Sequence, residues 1–178
     1  MDQFNVDIAA IQKRARQHIS EGPITAAYGA DRERVVEVLN DALATELVCV
    51  LRYRSHHFRA SGLAAKSVAA EFLEHAQEEQ EHADSIAARI VQLQGEPNFD
   101  PAGLAERAHS QYADGDSLVA MLEEDLVAER IAIEIYSGMI RWLGDGDPTT
   151  RALIEGILAV EEEHADDLRS LLSSHTSK

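Results

Sequence analysis

Six side chains able to hold a metal stand out by type and spacing: Glu46, then Glu79 and His82, then Glu129, then Glu161 and His164. The chain reads twice as a Glu followed at a distance by Glu-x-x-His, first as Glu79-Gln80-Glu81-His82 and then as Glu161-Glu162-Glu163-His164. The intervals nearly match, 33 residues from Glu46 to Glu79 and 32 from Glu129 to Glu161. Residues i and i+3 of a helix share a face, so each carboxylate and its imidazole can reach adjacent ions. Carboxylate oxygen and imidazole nitrogen without thiolate favour iron or manganese over a structural zinc site. Buried together, four carboxylates would repel one another and be costly to desolvate; two divalent cations cancel their charge.

Such a layer needs four helices to carry it. Prolines fall only at 23, 97, 101 and 148, which leaves long stretches rich in Ala, Leu, Glu and Arg that favour helix. Gly62, Gly95 with Pro97, and Gly144, Gly146 and Pro148 punctuate them, predicting long helices over 31–60, 64–94, 116–143 and 148–173. Residues 5–20, with Val6, Ile8, Ile11 and Ile19 apolar, read as a separate amphipathic helix ending near Gly22-Pro23. Segment 96–115, with a short helix predicted at 102–110, is long enough to run from one end of a bundle to the other. No strand pattern competes. The expected organisation is all-α: an N-terminal extension over 1–30 and a four-helix bundle over 31–174, with a long crossover between its second and third helices.

Helical phase marks the six residues as inward. The first apolar stripe runs Val36, Leu39, Leu43, Glu46, Val50, Tyr53, and the second Val68, Phe72, His75, Glu79, His82, Ile86. The third runs Leu118, Leu122, Asp125, Glu129, Ala132, Tyr136, and the fourth Ile154, Ile157, Glu161, His164, Leu168, Leu171. Each polar residue interrupts a run that should be apolar. Glu46 lies 16 residues before Gly62 and Glu79 lies 17 after it, while Glu129 lies 15 before Gly144 and Glu161 lies 17 after it. At a rise of about 1.5 Å per residue the four heights agree within about 3 Å. Register could slip by one residue, because Glu78 precedes His82 by four and Glu162 and Glu163 adjoin Glu161; the apolar phase favours Glu79 and Glu161. Asp125, one turn before Glu129, could orient a ligand imidazole or pair with an Arg at the core edge. His56, His57, His75, His109 and His175 fall outside the doubled motif and are expected not to be ligands.

With 32 acidic against 16 basic side chains the net charge is -16, which repels nucleic acid and anionic membrane and concentrates cations. Lys13, Arg14 and Arg16 are therefore expected to be a solvated helix face rather than a DNA-binding tail. Cys49 is the only cysteine, which excludes an intrachain disulfide and a Cys-x-x-Cys metal site. The opening residues carry neither a basic region nor an apolar run, and no window nears 18 uninterrupted apolar residues, so a cytoplasmic chain is expected.

Over residues 35–172 the chain resembles the ferritin-like di-iron carboxylate superfamily, whose ligand set is itself a worked case of helix-bundle metal sites. Within it, Leu39-Asn40-Asp41-Ala42-Leu43-Ala44-Thr45-Glu46-Leu47, Asp125-Leu126-Val127-Ala128-Glu129 and Tyr53, seven residues after Glu46, are similar to bacterioferritins. The resemblance implies two iron ions per subunit, with manganese or zinc as substitutes. Glu79 and Glu161 would bridge them, Glu46 with His82 would hold one, Glu129 with His164 the other, and Tyr53 would stand beside the centre. It implies ferroxidase activity, Fe(II) oxidised to Fe(III) by O2 or H2O2, and storage of ferric mineral in a homo-oligomeric cage. Bacterioferritins bind haem through a Met directly after the second-helix bridging Glu; Gln80 stands there, so haem is not expected. Only 14 residues follow His164, too few for the fifth helix of a 24-subunit shell. The N-terminal segment and the longer 96–115 connection resemble Dps-like miniferritins, so a 12-subunit cage is expected, with the 24-mer as alternative. Quinone hydroxylases and rubrerythrin-like peroxidases share the ligand order, and a metal-stabilised bundle without a cage is the non-enzyme alternative.

Overall fold

The computed structural model describes residues 5–60 and 65–176; Gly62, expected to divide the first two long helices, lies outside them. Six α-helices form among the described residues, in chain order: α1 (Ile8–Gln17), α2 (Arg32–Arg59), α3 (Lys66–Gln92), α4 (Leu104–Arg107), α5 (Leu118–Leu143) and α6 (Pro148–Thr176). No strand occurs among the described residues. Local chemistry sets several boundaries. Asp31 caps α2 by accepting from the Arg34 amide at 3.2 Å, and Ser117 caps α5 by accepting from the Ala120 amide at 3.1 Å. Asp147 accepts from the Thr150 amide at 2.9 Å just before Pro148, whose fixed φ suits a first helical position.

The helices pair as two antiparallel hairpins, α2 with α3 and α5 with α6. Gly95, just past α3, lies against Val36 near the start of α2; at the other end the Tyr53 ring is 6.2 Å from that of Phe72. Val36 is accordingly only partly buried, and Val35 takes the core place that the stripe assigned to its neighbour. Between the hairpins, residues 96–115 run along α2 from its first turns to its last. Asn40 receives the Asn98 amide at 2.7 Å, Thr45 receives that of His109 at 2.9 Å, and Arg59 donates to the Asp114 carbonyl at 2.8 Å. The helix expected at 102–110 shrinks to Leu104–Arg107 because the following residues extend to lie against α2.

Gly115 ends this crossover with φ +61, and a Cβ there would sit 2.7 Å from the Met121 amide nitrogen. Both the backbone sign and the space demand glycine. Gly115→Ala is expected to destabilise the protein by about 1–3 kcal/mol, measured as a lowered thermal midpoint with helix content unchanged.

The N-terminal segment folds as α1 and a 3-10 turn at Ile19–Glu21, shorter than the expected 5–20. It joins the bundle through Tyr28, whose hydroxyl donates to Asp147 at 2.9 Å, and through Gly29, whose amide donates to the Gly146 carbonyl at 3.1 Å. No residue of α1 is buried, and Ile8, Ile11 and Ile19 all face outward.

Candidate metal centre

The bundle's apolar interior is divided in two. One cluster gathers Leu39, Leu43, Ile86, Ile90, Met139 and Ile154; the other gathers Cys49, Val68, Phe72, Leu122 and Leu168. Between them lies the polar layer. Glu46, Glu79, His82, Glu129, Glu161 and His164 are brought together there from α2, α3, α5 and α6, each at most 8% exposed. The register settles on Glu79 and Glu161, while Glu162 and Glu163 point outward.

Both imidazoles turn Nδ1 to the carboxylates. His82 Nδ1 lies 3.2 Å from Glu161, 3.4 Å from Glu46 and 3.7 Å from Glu79. His164 Nδ1 lies 3.5 Å from both Glu79 and Glu161. Two overlapping sets result: Glu46, Glu79, His82 and Glu161, and then Glu79, Glu129, Glu161 and His164. The ligand atoms of each set lie within 4.8 Å of one another. Glu79 and Glu161 belong to both. Both oxygens of Glu161, one each of Glu46, Glu79 and Glu129, and both Nδ1 atoms are buried without a hydrogen-bond partner. Native interiors rarely leave polar atoms so, and this donor set is one that cations satisfy.

The outer oxygens are held in a crossed pattern. The Tyr53 hydroxyl of α2 donates to Glu129 of α5, and the Tyr136 hydroxyl of α5 donates to Glu46 of α2. Tyr53 thus stands beside the carboxylate layer. The sequence places Tyr136 only on the apolar stripe of its helix, although it follows Glu129 by the same seven residues that separate Tyr53 from Glu46.

Charge is redistributed accordingly. Burial, and then Glu79, pushes Glu46 up to about 8. Burial, with Glu79 and Glu161 beside it, raises Glu129 well above the carboxylate range. Glu79 moves the other way: burial and Glu161 oppose its charge, but the close approach of Glu46, His164 and His82 outweighs them and lowers it. Burial also works against charge on His82, yet the carboxylates of Glu161, Glu46 and Glu79 close to its Nδ1 raise it to about 12; Glu161 and Glu79 likewise raise His164 to about 11. Burial and the neighbouring His164 push His75 down to about 3.

Asp125 is not bonded to a ligand imidazole. It accepts from Arg52 Nε at 2.8 Å and lies 2.8 Å from His56 Nδ1, all three side chains wholly buried. The alternative pairing with an Arg is the one that forms, in the core rather than at its edge. Arg52 also donates to the Gln111 carbonyl at 3.3 Å, and His56 Nε2 lies 3.1 Å from the Ala113 carbonyl, so the triad ties the crossover to α2 and α5. The other side of the centre is less covered. His164 Nε2 lies 2.8 Å from Glu78, whose side chain is 42% exposed, and the His75 ring stacks on His164 with centroids 4.0 Å apart.

Comparison with known proteins agrees with this fold. The ferritin-like domain family matches residues 36–176. A bacterioferritin of Rhodobacter capsulatus is 31% identical over 144 residues, covering 79% of this chain and 83% of that protein. A nutrient stress-induced DNA-binding protein of Synechococcus is 32% identical, over 82% and 84% of the two chains. A solved structure described as a dodecameric thioferritin, the bacterioferritin-related protein of Bacteroides fragilis, superposes with a TM-score of 0.80 at 33% identity, over 84% of this chain and 90% of that one. With its paired hairpins, its long crossover and its doubled Glu and Glu-x-x-His set, the chain belongs to the ferritin-like family and is related to the bacterioferritins.

Proposed function

We propose that this protein is a ferroxidase and iron-storage protein that oxidises Fe(II) with O2 or H2O2 at a two-iron centre within one subunit and holds the ferric product in a cage. The observation that carries this reading is the pair of overlapping four-residue sets with their unpartnered oxygens and Nδ1 atoms. Glu46 with His82 and Glu129 with His164 would each hold one ion, and Glu79 and Glu161 would bridge them. Iron is here the substrate; manganese or zinc would fit the same donors. Two Fe(II) supply two electrons, enough to reduce one peroxide to two waters with two protons taken up. The carboxylates bind and orient the ions, and Tyr53 and Tyr136 fix the outer two in position. Haem is not part of this reading, since Gln80 follows Glu79 and its amide is engaged with Asp84 at 3.0 Å.

A homo-oligomeric cage is supported by the dodecameric relative from Bacteroides fragilis and by the outward apolar residues of α1, which a neighbouring subunit would cover. We favour twelve subunits. The DNA-binding name of the Synechococcus relative is not carried over, because a net charge of -16 opposes approach to a phosphate backbone. No helix among the described residues is long and apolar enough to cross a membrane, which fits a cytoplasmic store.

Anaerobic Fe(II) titration followed by oxidant, with native mass recorded on the same sample, tests the reading. It expects two irons per chain, fast oxidation and continued loading into a high-mass shell. Saturation at two irons on a small oligomer would instead identify an oxidase or peroxidase with an organic substrate.

Uptake should also release protons. His82 and His164, raised to about 12 and about 11, are protonated at neutral pH, and an ion must displace the proton from each Nδ1. Glu46, raised to about 8, and Glu129, raised well above the carboxylate range, must give up protons as well, so we expect about four protons released per pair of ions at neutral pH and an affinity that rises with pH, read by indicator dye in weakly buffered anaerobic solution; a pH-independent affinity contradicts it. In the metal-free protein the sign reverses. Raised imidazole values contribute stability that is full below the unfolded value near 6.5 and lost as pH climbs through about 11 to 12.

A further inference from the structure

Helix α1 is a basic element on an acidic molecule: it holds Lys13, Arg14 and Arg16 and no Asp or Glu, in a chain of net charge -16. Ile11 and Ala15 of α1, with Ile19, Ile24, Ala26 and Ala27 of the segment after it, line a groove of about 590 Å3. Arg14 and His18 stand at its edge, with His18 bonded to Glu21 at 2.7 Å. Among the described residues no carboxylate pairs with Lys13, Arg14 or Arg16. The opposite chemistry lies where the crossover begins. Phe99, 50% exposed, shares a hollow of about 580 Å3 with Glu37, Asp41, Glu96 and Asp100, and no Lys or Arg lines it. Arg34 pairs with Glu37 at 2.7 Å, and Arg107 reaches only the Asp100 carbonyl at 3.3 Å; among the described residues no cation pairs with the carboxylates of Asp41, Glu96 or Asp100. Both surfaces lie at one end of the bundle, since Gln94 donates to the Glu21 carbonyl at 2.9 Å, yet Phe99 does not line the groove of its own subunit.

We propose that the groove between α1 and residues 19–27 receives the Phe99 corner of a second copy of this chain, with the basic side chains of α1 set against the carboxylates around that Phe99. An exposed aromatic entering an apolar groove supplies the anchor of such a contact, and the opposed charges at its rim fix partner and register. Groove and corner are different patches of one surface, so each copy offers both and the contact is heterologous, a kind that closes into a ring where the rotation allows. A basic amphipathic helix could also lie on an anionic lipid surface. The second copy is favoured because the same molecule carries the acidic, aromatic counterpart, whereas its net charge of -16 opposes approach to lipid phosphates. The inference rests on the homo-oligomer of the proposed function and is independent of the two-iron chemistry.

Native mass over a dilution series of the full chain tests it for Lys13→Glu/Arg16→Glu, for Glu37→Lys/Glu96→Lys and for the chain carrying all four changes. These positions are exposed, so circular dichroism should match wild type throughout. Each pair alone is expected to raise the concentration needed for assembly by about ten-fold or more, as close charge pairs across an interface do, and the four-change chain to recover the wild-type mass. Failure of that recovery overturns the pairing. A second measurement needs no loss of assembly. Chains carrying Ile11→Cys and Phe99→Cys, co-expressed and oxidised, should give a disulfide-linked dimer that neither chain gives alone; Cys49 is buried and stays out of it. No mixed dimer from an assembled protein overturns this inference and leaves the cage standing, whereas a monomeric wild type overturns both. Wild type that floats with phosphatidylglycerol vesicles, with binding lost in Lys13→Glu/Arg16→Glu at unchanged mass, would give the groove to lipid and overturn the proposal.

Discussion

Glu161→Ala should abolish rapid Fe(II) oxidation and leave a folded helical protein. Glu161 belongs to both four-residue sets, and each of its oxygens is buried without a hydrogen-bond partner, so on the proposed assignment its loss removes a donor from both ions at once. The expected loss is at least about 100-fold in initial rate, comparable to removing a preorganised charge-stabilising group from an active site. Fe(II) binding should fall below two per chain in the same variant. The fold is expected to survive because the two apolar clusters on either side of the polar layer are untouched. Circular dichroism and native mass should match wild type. Oxidation at the wild-type rate in both Glu161→Ala and Glu79→Ala would exclude the proposed centre.

Asp125→Ala is expected to act on stability instead. It leaves Arg52, wholly buried, without its carboxylate partner. Burial opposes the charge on this guanidinium, but Cys49 and Asp125 beside it keep its value raised, so it stays ionised. Removing one partner of a buried ion pair typically costs about 3–5 kcal/mol, because the remaining charge is neither solvated nor paired. For a chain of this size that lowers the thermal midpoint by on the order of 10 °C. The crossover should loosen first, since Arg52 and His56 also hold the Gln111 and Ala113 carbonyls. A midpoint within about 2 °C of wild type would mean that water or another acceptor replaces Asp125.

The four long helices and the inward phase of their carboxylates were legible because each helix buries one dominant stripe, and a charged residue on that stripe breaks an otherwise apolar rhythm. Arg52 and His56 were not legible for the opposite reason. From Ala42 to Val50 nearly every residue of α2 is buried, because residues 96–115 cover the face that a simple bundle would leave to solvent. Where a helix is enclosed on several sides, a single stripe no longer separates core from surface. Asp125 was therefore seen without its partners. Tyr136 was legible in principle through its spacing from Glu129. His75 was placed on the inward stripe of α3 but set aside as falling outside the doubled motif; its carboxylate neighbours come from both α3 and α6, and pairing of that kind has no signature along one chain segment.

The crossed ligation has a mechanical meaning. Neither hairpin carries a complete ligand set: the first lacks Glu161, the second lacks Glu79, and each tyrosine reaches over to the other hairpin's glutamate. On the proposed assignment an arriving ion pair fastens one hairpin to the other across the line where the apolar interior is interrupted. The empty protein then has its slack along that line, and filling the centre works as a clasp, making the iron load itself a measure of how firmly the two halves of the subunit are held together.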